Sequence, residues 1–187
     1  MANSEHVAKL KEGVRAWNTW RQANADIQPD LAESSFVMAE LNGMDLRWAD
    51  LSMSDLRGAN MRGADLTGAE LYASNMSGAN LSEANLSMAD LRKTDMSGAS
   101  CLMADLRGAN LRRANLAEAN LQKANLRGAD LDSATLIGTD LKGAQLHRAI
   151  LINALFGSKD LCGAKLSGAC LQKIKFRAHQ EGEGDNR

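Results

Sequence analysis

The chain has 187 residues, 22 basic against 23 acidic side chains and a net charge of −1, so no global field steers it toward nucleic acid or an anionic membrane. Its longest apolar cluster, Ala149 to Phe156, is interrupted by Asn153 and is far too short to span a bilayer. No basic segment followed by an apolar run opens it and its cysteines number only three, so no signal peptide and a reduced, cytoplasmic setting are expected.

In chain order, residues 4 to 22 read as one amphipathic helix. Val7, Leu10, Val14 and Trp17 recur at helical spacing on one face, with Trp20 at its edge. Ser4 is the expected N-cap and Glu5 sits in the first turn. Residues 1–29, which end on the chain's single proline, Pro29, are assigned as an N-terminal capping helix and linker.

From Leu31 to Phe176 a large apolar residue then falls on every fifth position, giving 30 frames, of which 23 carry Leu. Two before the beat stands Ala, as in Ala59, Ala109 and Ala129; one before it stands Asp or Asn, as in Asp65, Asn80 and Asp105; two after it Gly recurs, as in Gly58, Gly108 and Gly128. The consensus is A-(D/N)-L-x-G. A period of five fits neither the helical repeat near 3.6 nor the strand repeat of 2. It describes a short extended piece followed by a turn. Ala and Leu, two apart, point inward, the Asp or Asn between them points out, and Gly supplies the positive φ of a type II turn.

These residues resemble the pentapeptide-repeat family over 31–176. The segment from Trp17 to Leu31 also resembles a leader found on other bacterial members. The family's fold is an all-β solenoid, a right-handed quadrilateral β-helix with four pentapeptides per coil. Carried onto this chain it implies about seven and a half coils over 30–178, on the order of 36 Å long at the strand spacing. Stability is that of a one-dimensional stack whose ends need caps. Cys101 then reads as a core residue, while Cys162 and Cys170 fall outward on opposite faces and do not bond. Residues 179–187 carry no apolar side chain and are expected to be a disordered polar tail.

Chemistry is sparse. His6, His147 and His179 are far apart, none with ligands at metal spacing, and no phosphate loop, nucleophile elbow or Cys/His pair is present. No catalytic, cofactor or metal residue is assigned, and the chain is expected not to be an enzyme. With residues twenty apart stacked in columns, Arg92 and Lys93 lie under Arg112 and Arg113. Arg107 and Arg127 stack on the preceding face. Together they outline a mid-rod basic strip, partly neutralised by Asp90, Asp105 and Asp130, that would suit an acidic protein partner. A second candidate is apolar: Ile137, Ile150, Ile152 and Leu155 should cluster around one corner and would suit a homodimer through a C-terminal patch. Outward Trp48, Met53 and Tyr72 are candidates for packing against the cap or its linker.

The expected function is a rigid, non-catalytic scaffold for an unidentified protein partner, with no direct binding of nucleic acid and no membrane contact. The alternative comes from the resemblance. Some family members mimic duplex DNA, bind type II topoisomerases such as gyrase and protect them from quinolones. That role needs a strongly acidic rod and usually a C-terminal dimer module, which the near-zero charge and the residues after Phe176 do not supply.

Overall fold

The computed structural model describes residues 2–158 and 160–177. Two helices come first, α1 over Ser4–Lys11 and α2 over Val14–Ala23. The single helix expected over 4–22 is broken at Gly13, whose φ of 97° is strained for any residue with a Cβ. The N-cap is also one residue earlier than Ser4. The Asn3 carboxamide oxygen accepts from the Glu5 and His6 amides at 2.9 and 3.4 Å. The break splits the apolar stripe: Leu10 of α1 and Trp17 of α2 are buried, while Val14 at the start of α2 is exposed.

From residue 30 to 156 each pentad repeats one unit: an outward bridging residue, an inward centre and a two-residue turn. Asp30 bridges Asp50, Asp50 bridges Glu70, and the row continues to Ile150 and Cys170, always parallel and always twenty residues apart. Four pentads therefore complete one coil. In the row that runs through Asn115, two successive bridges lengthen into pairings of two-residue strands, β1 (Thr135–Leu136), β2 (Leu155–Phe156) and β3 (Lys175–Phe176), with Thr135 opposite Leu155 and Phe156 opposite Phe176. Interior amides are served from both sides. Leu91 donates to the Asn110 carbonyl of the next coil at 2.8 Å, and Asp90 to the Ala69 carbonyl of the previous one at 3.0 Å.

The lumen is filled by the centre residues from Leu31 to Phe156, all buried, and by the alanines two before them, buried from Ala49 on, with Ala39 in the first coil only partly so. Each inward leucine contributes roughly 1.5–3 kcal/mol. Hydroxyls replace Ala at a few inward positions; most are satisfied by a nearby carbonyl, while the buried Ser74 Oγ has no hydrogen-bond partner among the described residues. Ser54 Oγ donates to the Leu51 carbonyl at 2.6 Å and Thr94 Oγ1 to that of Leu71 at 2.9 Å. Cys101 sits on the beat as expected, and burial pushes its thiol up to about 12.

The helices close the first coil. Trp17 Nε1 donates to the Asp45 carbonyl at 2.8 Å, the Asn18 carboxamide pairs with Gly43 O and Asp45 N at 3.0 and 2.9 Å, and buried Arg21 donates to Arg47 O at 3.1 Å. Across the coil, the Asp30 amide donates to His6 Nδ1 at 3.0 Å. The linker is exposed at Gln28, which reaches Glu70 at 3.2 Å. Trp48 and Met53, candidates for packing under the cap, are instead 54% and 56% exposed.

The ladder slips once. Second turn residues donate to the carbonyl nineteen residues on, as Gly128 does to His147 at 3.0 Å, but Gly143 donates to Gly163 at 2.9 Å. Gly138, whose partner by that rule is residue 157, donates to the Asp160 carboxylate at 3.0 Å, and the Gly157 amide donates to the same oxygen. The sequence count is unbroken here, yet the coil is not regular. By sequence, the frame centred on Leu161 carries Lys159 where most other frames carry Ala. The tail expected at 179–187, and the residue that would end the solenoid at 178, lie outside the described residues.

Candidate partner-binding surface

The outward Asp or Asn of each pentad does local work. Its side-chain oxygen accepts from the amide two residues on, as in Asp50 to Ser52 at 2.9 Å, Asp90 to Arg92 at 3.1 Å and Asn110 to Arg112 at 3.3 Å. Where an arginine follows an aspartate by two, its guanidinium also folds back onto that carboxylate. Arg47–Asp45, Arg57–Asp55, Arg92–Asp90 and Arg107–Asp105 close to 2.7, 2.7, 2.5 and 2.6 Å. These hydrogen bonds hold the Asp45, Asp55 and Asp90 carboxyls below the usual carboxylate range.

At one place on the surface several cations converge. Tyr72, Arg92, Lys93, Arg112 and Arg113 line a concavity of about 230 Å³. Tyr72, Arg92 and Arg112 are first turn residues of three successive coils, and Lys93 and Arg113 are the second turn residues beside them. The Lys93 ammonium donates to the Tyr72 hydroxyl at 2.8 Å. It also lies 5.2 Å from the phenol ring centre, with the Arg92 guanidinium carbon at 5.6 Å. Arg92 is held by Asp90, and Arg112 by Asp130 at 3.3 Å and Asp132 at 2.7 Å. Lys93 has only the phenol, and the Arg113 side chain makes no hydrogen bond among the described residues, acting on Asp132 through space alone.

The sequence profile of pentapeptide repeats matches the chain with eight copies, over 39–78, 74–113, 109–148 and 139–177. The chain belongs to the pentapeptide-repeat family. It is similar to the solved structure of a pentapeptide repeat protein (Rfr23) from the cyanobacterium Cyanothece 51142, with 31% identity, TM-score 0.37, and coverage of 63% of this chain and 60% of that one. It is also similar to HetL, a pentapeptide repeat protein involved in heterocyst differentiation regulation from Nostoc sp. strain PCC 7120, with 29% identity, TM-score 0.31 and coverage of 76% and 83%. A third is full-length QnrB1, a plasmid-mediated fluoroquinolone resistance protein, with 21% identity, TM-score 0.46 and coverage of 78% and 83%. No curated protein matches the chain. The solenoid of this pentapeptide-repeat protein is thus a right-handed β-helix.

Within that pentapeptide-repeat surface the basic strip divides. Arg92, Lys93, Arg112 and Arg113 converge as expected, but Arg107 and Arg127 belong to the turn column on the other side of the Asp90–Asn110–Asp130 row and do not line the concavity. Tyr72, which organises the cluster, was expected at the cap. Its signal was its place twenty residues before Arg92. The apolar patch is smaller than expected. Ile150 is 37% exposed, whereas Ile137, Ile152 and Leu155 are half-buried. Ile152 lies in the turn between Ile150 and Leu155, and Ile137 is in a different turn column. The exposed apolar residues of this end are Leu171 and Phe176 of the last described coil, 36% and 53% exposed, with Phe176 6.2 Å from Phe156.

Charge is also polarised along the chain. Residues 26–70 carry nine acidic and three basic side chains, whereas 111–177 carry eleven basic and five acidic ones. No helix is long and apolar enough to cross a membrane among the described residues.

Proposed function

We propose that this chain is a rigid, non-catalytic scaffold that docks an acidic protein partner on its outer surface in the cytoplasm. In this reading it is a rod of quadrilateral section with about seven and a half coils over 30–178, capped by residues 1–29. The observation that carries it is the concavity at Tyr72, where four cations converge and two of them, Lys93 and Arg113, are left without a hydrogen-bonded carboxylate. The lumen supports it too. Packed solid with aliphatic side chains, it leaves only the exterior to meet other molecules. DNA mimicry aimed at a topoisomerase has weaker support, because the carboxylate rows are interleaved with arginines that fold onto them.

The test is differential capture by immobilised wild-type rod and by an Arg92/Lys93/Arg112/Arg113→Glu variant of unchanged circular dichroism. Wild type should retain an acidic protein that the variant loses. Identical captures would overturn the docking site, and inhibition of purified gyrase by wild type in a supercoiling assay would favour mimicry instead. A second reading, a homodimer through the C-terminal end, draws on the exposure of Leu171 and Phe176. It predicts a dimer by light scattering that Leu171→Asp/Phe176→Asp dissociates.

A further inference from the structure

The four turn columns of the solenoid are not equivalent. In each, the second turn residue has a left-handed backbone, the conformation that glycine adopts without strain. Three columns use it that way. One carries Gly58, Gly78, Gly98 and Gly138, another Gly43, Gly63, Gly143 and Gly163, and a third Gly68, Gly108, Gly128 and Gly168. The fourth runs from Glu33 through Met53, Ala73, Lys93 and Arg113 to Lys173 without a single glycine, at φ between 54° and 61°. Along this edge alone, every coil accepts backbone strain and projects a side chain. The Tyr72 concavity lies on it.

We infer that this edge is the recognition edge of the rod, and that the concavity at Tyr72, Lys93 and Arg113 binds a single oxyanion, a phosphate or a carboxylate, borne on an acidic protein segment. The inference rests on the scaffold reading and gives the docking surface its chemistry. Lys93 and Arg113 stand one coil apart, about 4.8 Å at the spacing of paired strands, a separation that one oxyanion bridges. The Lys93 ammonium directs one of its three donors at Tyr72 and keeps two, and the planar fork of Arg113 is unclaimed among the described residues. Arg92 and Arg112, already tied to Asp90, Asp130 and Asp132, set the walls and raise the local potential.

The cationic stretch is short, which decides between partners. On the same edge it is followed by Asp132 and Ser133 and preceded by Met53 and Glu33. A nucleic acid backbone would need cations continuing along several phosphates. One anionic side chain flanked by apolar and polar neighbours fits Met53 and Tyr72 on one side and Ser133 on the other.

The edge supplies its own folding-safe variant. Lys93→Gly/Arg113→Gly removes both unclaimed cations and restores the residue the other columns use, so its thermal midpoint should equal or exceed that of wild type. Binding is read by amide chemical shifts and calorimetry at constant ionic strength. The probes are inorganic phosphate, a phosphoserine peptide, a glutamate-rich peptide and a short DNA duplex. Shifts should gather at Tyr72–Ala73, Arg92–Lys93 and Arg112–Arg113. The double variant should lose at least tenfold in peptide affinity, while Lys123→Gly, at a left-handed turn of another column, should lose nothing. The tighter of the two peptides identifies the oxyanion, and either result supports the site. Peptide binding that is absent, or unchanged in the double variant, overturns it, as does tighter binding of the duplex. If the peptides fail but the glutamate variant still loses a captured partner, the scaffold stands and the oxyanion assignment falls.

Discussion

The two ends of the solenoid meet the same physical demand in different ways. At the amino-terminal end the first coil's open backbone groups face a folded segment. Trp17, Asn18, Arg21 and His6 engage Asp30, Gly43, Asp45 and Arg47, and the rungs beneath, Leu31, Leu41 and Leu46, are at most 1% exposed. At the other end Leu161 and Leu166 are only partly buried, and Leu171 and Phe176 are exposed. The difference teaches that a repeat does not stabilise itself uniformly. Each coil depends on its neighbours, so a terminal coil has the strength of whatever lies against it.

The sharpest way to break this comparison is to place one charge at equivalent beats of the two ends. Leu31→Lys puts an ammonium in the packed lumen with no partner, and should cost about 4–5 kcal/mol or more, enough to abolish folding. Leu171→Lys can extend its amine to water, and should cost about 1 kcal/mol or less. Urea denaturation of both variants reads the contrast. Similar losses would mean that the last coil is as tightly held as the first.

A smaller effect is expected at the slip between Phe156 and Gly163. The Asp160 carboxylate replaces a ladder carbonyl for the Gly138 and Gly157 amides. Asp160→Ala should therefore cost about 1–3 kcal/mol, the usual penalty for orphaned donors, and hydrogen exchange should show it as faster exchange at Gly138. Asp160→Asn, which keeps an acceptor, should recover part of the loss. Equal exchange at Gly138 in wild type and Asp160→Ala would show that the carboxylate does not anchor the slipped coil.

Much of the fold was legible because one rule acts thirty times. The five-residue beat names every inward leucine, and the Ala two before it completes the lumen. The misses are single residues that interrupt a strong pattern. Gly13 breaks a helical stripe that still scores as periodic through Trp17, and Lys159 stands where the repeat calls for Ala without disturbing the count on either side. The binding surface was half legible. Spacing by twenty stacks Arg92 on Arg112 and Lys93 on Arg113. Spacing alone does not say which arginines fold back onto their own aspartates, and that decides that Arg107 pairs with Asp105 while Arg113 keeps its donors. Tyr72 was missed because an outward aromatic near the cap suggested packing, not a platform for cations from the next coil.

The subtlest difference between the ends is electrostatic. Asp45 lies at the junction of cap and first coil. Its carboxyl is held below the usual range first by the side-chain hydrogen bonds from Arg47, with Arg47 and Arg21 adding charge attraction. A carboxyl depressed in the folded state stabilises the fold above its unfolded pKa of about 4, and that contribution is lost as pH falls through the lower folded value. Asp45→Asn keeps the acceptor for the Arg47 amide but removes the charge opposite buried Arg21. At pH 7 it should be about 1.5–3 kcal/mol less stable than wild type, the scale of a hydrogen bond to a charged group. Because wild type loses the same charge on acidification, the gap should close as pH drops below about 4. Thermal midpoints of the two proteins at pH 7, 4 and 3 measure that gap. A gap that persists unchanged to pH 3 would mean that Asp45 holds the cap by its shape and not by its charge.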